Sequence, residues 1–127
     1  LDNLDIHKPY LDKAAEMPWA AGKVEFIHGD ILDYDVSKYD LMLMFDVLEH
    51  LPKDRALELL KSRPQKIVFI PLEDEFRENV DGVESQDHKS KWTAQEFIDL
   101  GYNVEVIKGF HSGTVDAAWA TSCALGV

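Results

Sequence analysis

Leu41 to Phe45, LMLMF, is an unbroken apolar run that follows Tyr39-Asp40 and ends at Asp46. It is too short for a helix of ordinary length, and it predicts a strand buried on both faces, as in a parallel sheet. The polar and ionisable residues Asp46, Glu49 and His50 come next, before Pro52 opens a helix. Ionisable groups just past the carboxyl end of a buried parallel strand stand where open α/β sheets bind their ligands.

The rest of the chain alternates in the same way. Lys8 to Glu16 reads as a helix, with Pro9 in its first turn and Tyr10, Leu11, Ala14 and Ala15 on one side. Met17 to Gly22 is a loop, Lys23 to His28 a strand, and Asp30 to Lys38 a polar connection. Tyr39 to Asp46 contains the central strand, and Pro52 to Lys61 is a helix with an apolar stripe of Ala56, Leu57, Leu59 and Leu60. Arg63-Pro64 ends that helix. Lys66 to Leu72, KIVFIPL, is a second strand expected to be buried on both faces. Glu73 to Lys91 is long, acidic and poor in apolar residues, the pattern of a lid over a site. Thr93 and Glu96 form a capping box that opens a short helix, which Gly101 ends. Val104 to Ile107 and Ala117 to Leu125 read as strands, joined across Lys108 to Asp116 as an antiparallel hairpin. The expected fold is α/β: a Rossmann-like three-layer sandwich in one domain, 1–127, with a mostly parallel sheet and a C-terminal hairpin.

Charge narrows the function. The formal net charge is −11, which argues against the phosphate backbone of nucleic acid and against an anionic membrane surface as partners. No apolar stretch approaches the ~20 residues of a membrane span, and no signal peptide is evident, so a cytoplasmic protein is expected. The single cysteine, Cys123, lies in an apolar run and reads as a structural thiol. His7, His28 and His111 show no ligand spacing, and no metal site is expected.

The spelling of the motifs adds a resemblance. The apolar strand followed by Asp46-Val47-Leu48-Glu49-His50-Leu51-Pro52 resembles the post-strand motif of class I S-adenosylmethionine (SAM)-dependent methyltransferases. Asp5-Ile6-His7-Lys8-Pro9-Tyr10-Leu11 looks like the end of the family's second strand and the start of the next helix. Val24 to Ile31, VEFIHGDI, looks like its third strand. Gln86 to Thr93, QDHKSKWT, resembles an H-x-S-x-W-(T/S) segment of some small members. The resemblance implies SAM as cofactor and a small-molecule methyl acceptor. It places Asp5, with Ile6 beside it, at the cofactor ribose, Asp30 at the adenine amino group, and Ile31 on the adenine ring. Phe45 and Asp46 fall where the family contacts the methionine moiety. His88, beside Ser90 and Trp92, and His50 are the candidates for removing a proton from the acceptor.

Plainer readings stand beside these. Asp5 precedes a helix and could cap it, Asp30 could be a turn residue after Gly29, and Glu49 and His50 could fix the loop. His88 could be a loop histidine that holds Trp92 down. The family's glycine-rich loop is a clear departure, since no G-x-G-x-G occurs in the chain. The sequence starts in or just before the second strand, so the fold is expected to be N-terminally truncated, without the first strand and helix. Methyl transfer is then expected to be impaired, and the alternative is a non-catalytic Rossmann-like remnant acting as a binding or dimerisation module. A missing first strand also predicts an exposed edge along Leu41 to Phe45 and a homodimer that covers it.

Overall fold

The computed structural model describes residues 1–72, 88–111, 113 and 115–122. The acidic segment 73–87, expected as a lid, and Cys123 lie outside the described residues. The chain divides into two compact units, Leu1–Val36 and Ser37–Val127.

The first unit is built on two parallel strands, β1 (Asp2–Asp5) and β2 (Glu25–His28), in register from Asp2 opposite Glu25 to Asp5 opposite His28. Helix α1 (Lys8–Ala15) connects them, with Pro9 in its first turn. Its missing N–H there would have been unsatisfied in any case. Leu11 is buried, whereas Tyr10 of the expected apolar side is exposed. The connection continues through a 3-10 turn, Pro18–Ala20, whose Ala20 is buried. Beyond the last strand pair, the Gly29 N–H donates to the Asp5 carbonyl at 3.0 Å. A Cβ on Gly29 would sit 3.3 Å from Leu4 Cδ1, so a small residue suits this close approach.

The second unit is a four-stranded sheet in the order β3-β4-β6-β5, with β3 at Leu41–Phe45, β4 at Gln65–Leu72, β5 at Asn103–His111 and β6 at Val115–Thr121. β3 and β4 pair in parallel around α2 (Lys53–Lys61), while β4–β6 and β5–β6 are antiparallel. The sheet is therefore mixed, and the C-terminal hairpin forms as expected, with strands longer at the turn than Val104 to Ile107 suggested. β4 lies between two strands, and Lys66, Val68, Phe69, Ile70 and Pro71 are buried on its two faces. The apolar side of α2 is inward through Ala56 and Leu60.

β3 corrects the sequence reading. It is an edge strand, and only Met44 on it is buried. Leu41, Leu43 and Phe45 point to the opposite face and are exposed, Leu43 by 51%. Five consecutive apolar residues cannot tell a strand covered on both faces from one covered on a single face, because side chains alternate whatever covers them.

The short helix α3 (Ala94–Asp99) begins at the expected capping box. The Glu96 N–H donates to Thr93 Oγ1, and the Thr93 N–H donates to Glu96 Oε1 at 3.0 Å. It ends before Gly101, whose φ of +89° is a conformation glycine adopts freely. Phe97 on this helix is fully buried and lies against Trp92 and Tyr102, with ring centroids 5.3 and 6.0 Å away. Lys53 Nζ sits 3.7 Å from the Trp92 ring centroid and pairs with Glu96 Oε2 at 2.5 Å.

Candidate functional site

In the first unit the carboxyl ends of both parallel strands carry carboxylates. Asp5 ends β1, and its Oδ1 accepts the His7 N–H at 2.9 Å. The cap position of α1 belongs to His7, which caps with no side-chain bond. Asp5 therefore braces the turn before the helix and does not cap it. Asp30 follows β2, and its Oδ1 accepts the Leu32 N–H at 2.9 Å in an Asx turn. Each local bond occupies Oδ1, so each carboxylate has a second oxygen to offer a ligand. The Gly29 bond to the Asp5 carbonyl holds the two segments side by side. A second cross-link runs from His28 Nε2 to the Ile6 carbonyl, 3.0 Å apart. Ile6 is exposed and Ile31 half-buried, so both present apolar surface near the carboxylates.

In the second unit β3 ends in an abrupt turn. The Asp46 N–H donates to the Phe69 carbonyl at 2.9 Å, and Asp46 itself has φ +55°. That left-handed conformation is uncommon outside glycine, although aspartate tolerates it better than most residues. It swings the chain out of the sheet into a 3-10 turn, Leu48–His50. Phe45 remains half-exposed, edge-on to Trp119 with centroids 5.4 Å apart. Leu48 and Glu49 are buried, each no more than 2% exposed.

A segment 39 residues further on docks against this turn. The Lys89 and Ser90 N–H groups both donate to the Glu49 carbonyl, at 2.6 and 3.2 Å. Ser90 Oγ donates to the Leu48 carbonyl at 2.9 Å and accepts the Trp92 indole N–H at 2.8 Å. Ser90, not His88, thus holds Trp92. This anchoring sets His88 against His50, with ring centroids 4.9 Å apart and planes at 77°. Glu49 joins them: one ligand-type atom from each of Glu49, His50 and His88 lies within 4.8 Å of the others.

The fold thus brings His50 and His88 together past the carboxyl end of β3. Asp5 and Ile6 lie at the carboxyl end of β1, and Asp30 and Ile31 follow β2, whose end is bonded to β1 through Gly29 and His28. Glu49 was read from the sequence as an ionisable residue past the strand end and as a group that fixes the loop, not as a partner of His88. Its partner histidines stand next to it and 39 positions away, and no short spacing announces such a group.

No protein-family profile matches the chain, and no curated protein matches it. Solved structures do. The CurJ carbon methyltransferase superposes with a TM-score of 0.60 at 13% identity, covering 97% of this chain and 41% of that one. PigF, solved with SAH, gives 0.54 at 18% identity, covering 94% and 42%. The pyocyanin biosynthetic protein PhzM gives 0.50 at 17% identity, also covering 94% and 42%. The chain spans less than half the length of these structures. These superpositions show that the chain shares the fold of part of the CurJ carbon methyltransferase and of PigF.

Proposed function

We propose that the chain is the adenosine-binding and acceptor-facing portion of a SAM-dependent methyltransferase with a Rossmann-like three-layer domain. It would act on a small-molecule acceptor in the cytoplasm. The observation that carries this reading is the pair of carboxylates at adjacent strand ends. Asp5 and Asp30 are tied together through the Gly29 N–H, and each has one oxygen used locally and one to offer. A ribose presents two hydroxyl donors and adenine an amino donor, so two neighbouring acceptors with apolar Ile6 and Ile31 close by suit an adenosine. Asp5 would take the ribose and Asp30 the adenine amino group, with Ile31 against the ring. The family resemblance makes Phe45 and Asp46 the candidates for contacts to the methionine portion.

When bound, SAM supplies a methyl group already activated by its sulfonium. What the chain must add is position, and for some acceptors a place for a proton. Asp46, in its left-handed turn, aims the chain after β3. His50 and His88 are the groups proposed to take the acceptor's proton, because both are half-buried and sit where that turn leaves the sheet. Among the described residues no helix is long and apolar enough to cross a membrane. The exposed row Leu41, Leu43 and Phe45 on edge strand β3 is where the proposed homodimer would pair, and light scattering on the purified chain tests that assembly.

Titration of the chain with SAH, followed by amide chemical shifts, tests the cofactor assignment. Shifts are expected at Asp5, Ile6, Asp30 and Ile31. Saturating SAH with no response at these four would remove the adenosine site from this chain.

A further inference from the structure

We propose that Glu49, His50 and His88 form a binding site for a divalent first-row transition ion of the zinc type. The inference rests on these three side chains alone and stands whether or not the chain transfers methyl groups.

The ligand chemistry is mixed, two imidazole nitrogens and one carboxylate oxygen, a set that suits Zn²⁺, Co²⁺ or Ni²⁺ and does not suit Mg²⁺ or Ca²⁺, which prefer oxygen throughout. The three ligand atoms already lie within 4.8 Å of one another. Bonds of ~2.0–2.1 Å around a tetrahedral ion put ligand atoms roughly 3.4 Å apart. Modest side-chain rotation therefore closes the site without moving the backbone. The two rings stand nearly perpendicular, at 77°, so both can turn a nitrogen toward one point without stacking.

The backbone beneath the three residues is held on both sides. Glu49 and His50 lie in a 3-10 turn closed by the His50 N–H to the Val47 carbonyl at 3.0 Å. His88 is placed by the next two residues, whose N–H groups share the Glu49 carbonyl. Ser90 is buried, and its hydroxyl ties that segment to Leu48 and to Trp92. Ligands on a supported backbone lose little freedom when an ion binds, which is what a metal site requires. The half-buried histidines leave the far side of the site open to water or to a ligand atom.

Three protein ligands with an open position is the arrangement of ions that bind and polarise a substrate group. An imidazole nitrogen bound to the ion has no lone pair for a proton. With an ion in place His50 and His88 would be its ligands, so the base role proposed for them applies to the metal-free chain.

Calorimetric titration of the metal-free chain with ZnCl₂ tests the site. One Zn²⁺ per chain is expected, with Mg²⁺ failing to compete, and His50→Ala and His88→Ala should each weaken binding by at least about tenfold. His28→Ala, a change in the other unit, should leave it unaltered. Absence of saturable Zn²⁺ binding, or wild-type affinity in the His50 and His88 variants, overturns the proposal. Glu49→Gln alters a buried group and could unfold the chain, so a second readout needs no variant. Co²⁺ should broaden the imidazole resonances of His50 and His88 first, and broadening that begins at His7 or His28 overturns the proposal equally.

Discussion

The Ser90 N–H donates to the carbonyl oxygen of Glu49 at 3.2 Å, and this bond joins two segments far apart in sequence into one corner of the second unit. The hydroxyl of the same serine reaches the Leu48 carbonyl, and the indole of Trp92 reaches the hydroxyl. One small side chain therefore links the turn after β3 to the segment that opens α3.

Ser90→Ala is expected to cost about 2 kcal/mol, because it strips a buried indole N–H of its partner and removes one of the bonds to the Leu48 carbonyl, which keeps the Leu51 N–H. Urea unfolding followed by tryptophan fluorescence measures this. A loss below about 0.5 kcal/mol would mean that the hydroxyl is replaced by water and is not the link described.

Asp5 separates structure from ligand. Asp5→Asn keeps an oxygen for the His7 N–H and should leave the melting temperature unchanged, whereas Asp5→Ala should lose about 1 kcal/mol. Both should weaken SAH binding, since a neutral amide accepts hydroxyl protons less strongly than a carboxylate. Wild-type affinity in both variants would show that Asp5 only braces the turn.

Tyr102 ties the alkaline stability of the second unit to one hydrogen bond. Its hydroxyl donates to the Leu60 carbonyl at 2.7 Å, and burial pushes its pKa up to about 12. The folded state favours the neutral phenol, so this contribution is complete below the unfolded value near ~10 and is lost as pH rises through about 12. Tyr102→Phe should cost ~1 kcal/mol at neutral pH and flatten the decline above pH ~10. Burial lowers the pKa of Lys66, whose Nζ donates to the Ser62 and Pro64 carbonyls at 2.6 Å, and this gives a slope of opposite sign. Comparing the two proteins at each pH cancels it. Parallel curves up to pH 12 would contradict the assignment.

The hairpin turn depends on Gly109. Its φ is +63°, its N–H donates to Asp116 Oδ1 at 2.9 Å, and an added Cβ would meet the Gly113 carbonyl oxygen at 3.2 Å. That bond and the Lys108 ammonium hold the Asp116 carboxyl below the usual carboxylate range. Gly109→Ala should cost about 1–2 kcal/mol from backbone strain, plus a further cost for the close contact. Gly113→Ala, also at positive φ but with no described atom within 4 Å of the new Cβ, should cost less. Thermal melts of both variants rank them, and the reverse order would show that the contact at Gly109 relaxes freely.

Local chemistry determined much of this fold before any coordinate. Thr93 and Glu96 carry a capping box in their spacing alone. Pro9 and Pro52 mark helix starts, and KIVFIPL and LMLMF read as strands because short apolar runs between polar turns have few other solutions. The carboxylates Asp5 and Asp30 were placed at strand ends by the family resemblance and not by the apolar pattern. Tertiary structure alone decided what faces water and what meets across distance. Leu43 and Ile67 look alike in sequence, yet one lies on an edge strand and the other is flanked on both sides, because ladder position is a non-local property. The meeting of Glu49 and His50 with His88 depends on two backbone N–H groups finding one carbonyl across the intervening chain. No periodicity records such a contact, since its residues share neither a helix face nor a strand.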